Sequence, residues 1–122
     1  MMYIDGDQYD VPVLSIKRKA DFLDKYAERT EDGVLRRELI GVYFNYQLQL
    51  GSTADVNEYA RLWGKLTEPQ EFHTVIVPDE AGDYTFVAYF SNVQDELLRI
   101  HKSKNYFKNL TVNFTAQAPA RR

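Results

Sequence analysis

LIGVYFNYQLQLG, running from Leu39 to Gly51, alternates with a period of two. Ile40, Val42, Phe44, Tyr46, Leu48 and Leu50 form a wholly apolar or aromatic set, while Leu39, Gly41, Tyr43, Asn45, Gln47 and Gln49 form a mostly polar one. Side chains of a β-strand point to opposite faces in turn, so this pattern predicts one long amphipathic strand with a buried and a wet face. Eleven residues from Ile40 to Leu50 span about 36 Å at roughly 3.3 Å each, about twice the usual strand length. Such a strand either bends around a small barrel or runs out beyond its own sheet.

The segments on either side support a sheet. Upstream, Asp5-Gly6-Asp7 and Glu31-Asp32-Gly33 are hairpin turn signals, because Asp and Gly tolerate positive φ. Val11 to Ile16 reads as a short strand with Pro12 at its start or on an edge. Downstream, FHTVIVP is a short strand, DEAGD a turn centred on Gly82, and YTFVAYF a strand with Tyr84, Phe86, Ala88 and Phe90 on one face. In YFKNLTVNFTAQAP, Leu110, Val112, Phe114 and Ala116 face inward and Pro119 stops the strand. Residues 93–105 suit a helix or a strand. Residues 118–122 read as a disordered tail.

One segment changes period. Val56, Tyr59, Trp63 and Leu66 recur at three- and four-residue spacing, the stripe of a helix from about 53 to 66, with Ser52 or Thr53 as its cap and Pro69 beyond its end. Gly64 weakens that helix or lets a neighbour approach. The order is strands, one helix, more strands, with short connections that favour antiparallel pairing. The expected fold is mostly β (α+β): an antiparallel barrel or sandwich over residues 1–122, with one helix packed across it. Its expected core contains Val42, Phe44, Leu48, Tyr59, Trp63, Phe86, Phe90, Leu110, Val112 and Phe114.

Between Lys17 and Glu38 lies a charged arm. Thirteen of its twenty-two residues are charged, with both signs interleaved. So few apolar residues give the arm little to bury against its own domain. It reads as a short helix or as a hairpin flank reaching off the body.

The 122-residue length suits one domain with one core. A net charge of −3 disfavours duplex nucleic acid as a partner. Aromatics make up 14% of residues, a composition that suits β-cores and interfaces. There is no Cys, so disulfides, thiolate metal sites and a Cys nucleophile are excluded. The opening MMYIDGDQYD lacks the basic and apolar regions of a secretory signal, and no apolar run approaches the roughly 20 residues of a membrane span. These features lead to the expectation of folding in the cytoplasm, with no membrane partner.

Catalytic chemistry is sparse. His73 and His101 are the two histidines, and they lack the spacing of a helical zinc pair. His73 reads as a solvent-facing strand residue and His101 as the end of an element. Asp21/Asp24, Glu31/Asp32, Asp79/Glu80 and Asp95/Glu96 are close carboxylate pairs, but most flank turns or basic residues. The six glycines form neither a dinucleotide fingerprint nor a phosphate loop. The expectation is no enzyme, no catalytic residue, no metal and no cofactor.

Two binding classes remain. Lys102, Lys104 and Lys108 surround Tyr106, a mixture of cations and rings that suits single-stranded nucleic acid. Self-assembly accounts for more of the chain. Long strands leave sheet edges that pair unless covered, and Lys17, Arg18, Phe22, Tyr26, Arg29, Arg36 and Arg37 are the candidate interface of the arm. In particular, Arg29, Arg36 and Arg37 can meet Glu28, Asp32 and Glu38 of another copy.

The words SIKRKA, RTEDG, RRELIGVYFNY, LTEPQEFHTVIVP and LTVNFTAQAP, spread over nearly the whole chain, resemble small prophage-encoded proteins of Gram-positive bacteria. The pattern of long hairpin, single helix and closing sheet is similar to that of phage tail-tube and distal-tail proteins. The resemblance implies a virion structural protein built as a ring, commonly hexameric, whose arm reaches across its neighbours. It implies copies of itself and other phage tail proteins as partners. It also implies host cytoplasm during assembly and the virion tail afterwards as the location. It carries over no catalytic residue.

Overall fold

The computed structural model describes residues 2–122. Seven strands and one helix follow the chain as β1 (Tyr3–Ile4), β2 (Asp7–Gln8), β3 (Val13–Arg29), β4 (Leu35–Leu50), α1 (Val56–Leu66), β5 (His73–Asp79), β6 (Gly82–His101) and β7 (Lys104–Ala116). All strands join one antiparallel sheet in the order β2-β1-β5-β6-β7-β4-β3. The two outer strands do not pair with each other, so the sheet is open rather than a closed barrel.

The open sheet is nonetheless curled. β7 lies between β4 and β6, yet rings from those two strands meet over its C-terminal end: Phe44 lies 5.9 Å from Tyr84, and Tyr46 lies 5.3 Å from Phe86. Arg18 on β3 reaches Glu80 in the β5–β6 turn at 2.6 Å, a bridge from one side of the curl to the other. Both side chains are well exposed, so water screens this pair and it does little to hold the curl together.

The inward faces converge as the alternation requires. Tyr46, Leu48 and Leu50 from β4 are buried with Leu110, Val112 and Phe114 from β7, Val75 and Val77 from β5, and Ile4 from β1. Phe44, Trp63, Phe86 and Phe90 pack on this core while staying partly exposed. Val42 is half-buried, and Ile40, expected on the buried face, is exposed. The apolar stripe outruns the core because β7 pairs only with Tyr46 to Leu50 of β4.

α1 closes the side of the curl next to Leu50. Its buried residues are Tyr59, Leu62 and Leu66. It begins at Val56, with Asp55 as its cap, rather than near 53 with a Ser52 or Thr53 cap. The Glu58 N–H donates to the Asp55 carboxylate at 3.1 Å, and Thr53 instead accepts from the Asp55 N–H at 3.2 Å. On one flank, Arg61 lies over the Tyr9 ring at 4.1 Å and donates to the Gln8 carbonyl at 2.8 Å. On the other, Tyr59 stacks on Phe107 at 6.0 Å.

The C-terminal residues are placed against the sheet, which corrects the expectation of a disordered tail at 118–122. The Val42 N–H donates to the Arg121 carbonyl at 2.8 Å, and the Ala120 N–H donates back to the Val42 carbonyl at 2.8 Å. Gly41 permits this approach: a Cβ there would lie 2.6 Å from the Pro119 Cβ.

Candidate assembly surfaces

Two hairpins leave the body in opposite directions. β4 pairs with β7 only from Tyr46↔Phe114 to Leu50↔Leu110. Because the two strands are antiparallel, β4 continues past one end of this overlap and β7 past the other. The first projection is the β3–β4 hairpin. From the tail contact at Val42 to the turn at Asp32 it covers about 33 Å at roughly 3.3 Å per residue. The charged arm is therefore a hairpin rather than a helix. Its turn is held by the Thr30 N–H donating to the Val34 carbonyl at 2.8 Å, with Gly33 at φ 85°. The second projection is the β6–β7 hairpin, which settles 93–105 as strand: β6 runs to His101 and the turn is Lys102-Ser103, both at positive φ.

Phe107 of the second projection packs against Tyr59, but both projections leave other apolar side chains uncovered. On the first, Phe22 is 59% exposed, and Leu23, Tyr26, Val34, Leu35 and Leu39 are also exposed. On the second, Ile100 is 68% exposed beside Leu97 and Leu98. β3 is also an outer strand of the sheet along all seventeen of its residues. Lys17, Lys19 and Lys25 line it, the kind of charge that keeps an edge from pairing indiscriminately.

The expected interface residues divide by what they already touch. Arg37 binds Asp24 at 2.5 Å and lies 5.3 Å over the Phe22 ring, and Lys25 sits 4.0 Å from Glu38. Arg29 donates to the Gly33 carbonyl at 2.8 Å. Arg18 is engaged with Glu80. Tyr26 stands opposite Glu38, and Arg36 opposite Glu28. Thus Arg29, Arg37 and Glu38, assigned from sequence to meet another copy, have partners within their own arm.

The cationic residues of the second hairpin run from its tip back along β7. Lys102 lies in the turn, Lys104 pairs in register with His101, and Lys108 pairs with Glu96. Arg99 covers the Tyr106 ring at 4.9 Å, so a cation already holds part of the surface on which a base would stack.

Where the second hairpin meets α1 there is a cleft of about 320 Å³, which sequence reasoning missed. Tyr59, Trp63 and Phe107 give it aromatic walls, Val56 and Ala60 extend them, and Asp95 and Asn105 supply polar groups. The Tyr59 hydroxyl donates to Asp95 Oδ2 at 2.8 Å. Burial raises the Tyr59 pKa, and the hydrogen bond to Asp95 and its negative charge raise it further, so the phenol stays protonated and donating. The helical spacing of Tyr59 and Trp63 was legible, but their meeting with Phe107 depends on how the helix docks.

Comparison with protein-family models, curated proteins and solved structures finds no match to this chain.

The structure reverses one local expectation. His73, read as solvent-facing, is 2% exposed. Its ring stacks on Phe90 at 4.5 Å, and its Nδ1 lies 2.7 Å from Asp5 Oδ2. Asp5 also accepts from the Thr74 N–H at 2.9 Å, so the group ties the β1–β2 turn to β5. His101 ends β6. Among the described residues, no three His, Asp or Glu side chains gather in a way that could hold a metal ion. No helix among them is long and apolar enough to cross a membrane.

Proposed function

We propose that this chain is a non-enzymatic structural subunit that assembles with copies of itself through its two hairpins, as a component of a phage or prophage tail. One observation carries the reading: two long hairpins project in opposite directions, and each exposes apolar side chains that its own body leaves uncovered. Apolar surface removed from water contributes about 25 cal/mol per Å², so hairpins of this kind are stabilised when a neighbour covers them. Contacts made by opposite ends of a molecule are heterologous and generate rings when the rotation closes. The tail assignment within that reading comes from the sequence words described above and from a long arm suited to reaching a neighbour.

Light scattering over a range of concentrations, with electron microscopy of the concentrated protein, tests this. Rings or tubes of uniform diameter are expected. A strict monomer at every concentration would refute it. The cations along the second hairpin support a second reading, single-strand binding through Lys102, Lys104 and Lys108. Filter retention of labelled oligonucleotide at low salt decides that reading, and no retention removes it.

A further inference from the structure

We infer that the cleft between α1 and the β6–β7 hairpin receives the guanidinium of Arg36 from a second copy of this chain. The inference rests on the self-assembly proposed above and names its central contact.

The cleft has the chemistry of a site for a planar organic cation. Three rings, Tyr59, Trp63 and Phe107, line it, and aromatic faces attract cations through their quadrupoles. Asp95 places a carboxylate among them. Its Oδ2 takes the Tyr59 hydroxyl, and its Oδ1 has no partner among the described residues. A neutral apolar occupant would shield that carboxylate from water without pairing it, which is costly. A guanidinium stacks on rings, is weakly hydrated and donates to a carboxylate from a flat fork, which an ammonium cannot do.

The donor follows from what remains unused on the arm. Beyond the tail contact the arm carries four cations: Lys25, Arg29, Arg36 and Arg37. Lys25 is near Glu38, Arg37 holds Asp24, and Arg29 caps the turn. Arg36 stands opposite Glu28 in register, yet its side chain forms no ion pair or hydrogen bond among the described residues. Beside it, Val34 and Leu35 are exposed; beside the cleft, Leu97, Leu98 and Ile100 of the receiving hairpin are exposed. The same docking therefore covers apolar flanks on both sides. Because arm and cleft lie at opposite ends of the sheet, every copy donates once and receives once.

Trp63 is the sole tryptophan, so its fluorescence reports on the cleft directly. The full-length chain is followed by size-exclusion light scattering and Trp63 emission over a concentration series. Arg36→Ala and Asp95→Asn are compared with the wild type, as is the exchanged pair Arg36→Asp with Asp95→Arg. Circular dichroism checks each fold, and Asn at 95 keeps an acceptor for the Tyr59 hydroxyl. The wild type is expected to shift its Trp63 emission as it assembles. Each single variant should raise the concentration for half-assembly by about tenfold or more, and the exchanged pair should recover much of that loss. If both single variants assemble like the wild type while a chain lacking the arm does not, this contact is wrong and self-assembly stands. A wild type that never assembles overturns both. Quenching of Trp63 by N-acetylarginine amide that leaves assembly unchanged makes the cleft a small-cation site and also overturns the assignment.

Discussion

Asp5 shows how a single side chain can hold an edge of the sheet. Burial pushes its carboxyl pKa up, but hydrogen bonds from His73 and the Thr74 N–H, with Lys65 nearby, outweigh that and hold it below the ordinary 3.8. The unfolded chain therefore takes up the proton first as the pH falls. The contribution of Asp5 is complete above 3.8 and is lost as the pH falls through the lower folded-state value. Asp5→Asn keeps a residue that tolerates the φ of 51° at this position. It should cost about 1–2 kcal/mol at neutral pH, with the gap to wild type closing in acid. Urea titrations across a pH series measure this, and a gap independent of pH would refute it. Gly41 acts through space rather than charge. Gly41→Ala would put its new methyl 2.6 Å from the Pro119 Cβ and 3.0 Å from the Arg121 carbonyl oxygen. Either the tail moves or the strand does, at a cost of about 1–3 kcal/mol. A lower melting temperature together with faster carboxypeptidase trimming of the last residues is expected, and trimming at the wild-type rate would show that the tail stays seated.

At the scale of elements, the helix shows what the chain's pattern settles and what docking decides. Three- and four-residue spacing fixed its existence, but the buried stripe is Tyr59, Leu62 and Leu66 rather than Val56, Tyr59, Trp63 and Leu66. Both stripes have helical spacing, and contact with the core chose between them. That choice left Trp63 partly exposed, which made the cleft invisible to periodicity. Gly64 can now be read as well: nothing lies within 4 Å of where its Cβ would stand, so it admits no close neighbour. Gly64→Ala should stabilise the protein by about 0.5–1 kcal/mol, raising the melting temperature by about 2–4 °C. Calorimetry checks this, and an unchanged or lower midpoint would count against it. The strands were legible where alternation ends in the core, as from Tyr46 to Leu50 and from Leu110 to Ala116. The alternation at Ile40 and Val42 was equally clean, but it could not tell that β7 stops short of them. Residues 93–105 were ambiguous because no core enforces a period there; turn geometry and pairing with β7 make them strand. Asp5 meets His73 across 68 positions of chain, and neither residue carries a local signal of the other.

For the whole molecule, the division between a body that holds the core and an arm that holds none of it is the feature with consequences. Every buried core residue lies outside 17–43. The arm adds length, charge and exposed apolar surface, while the body holds the burial that offsets chain entropy. Leu23 pairs with Gly41 in register, so replacing residues 24–40 with Asn-Gly rejoins the two strands by a two-residue hairpin turn. The shortened chain should fold with a stability within about 1 kcal/mol of the parent, because it loses no core contact. It should also fail to assemble at concentrations where the parent does. Thermal melts by circular dichroism and light scattering on the same samples measure both halves. A truncated chain that does not fold would make the arm part of the fold rather than a tool of assembly. One that folds and still assembles would move the interface to the remaining outer strand or the second hairpin. Only a folded monomer is consistent with a body complete in itself and an arm built for its neighbour.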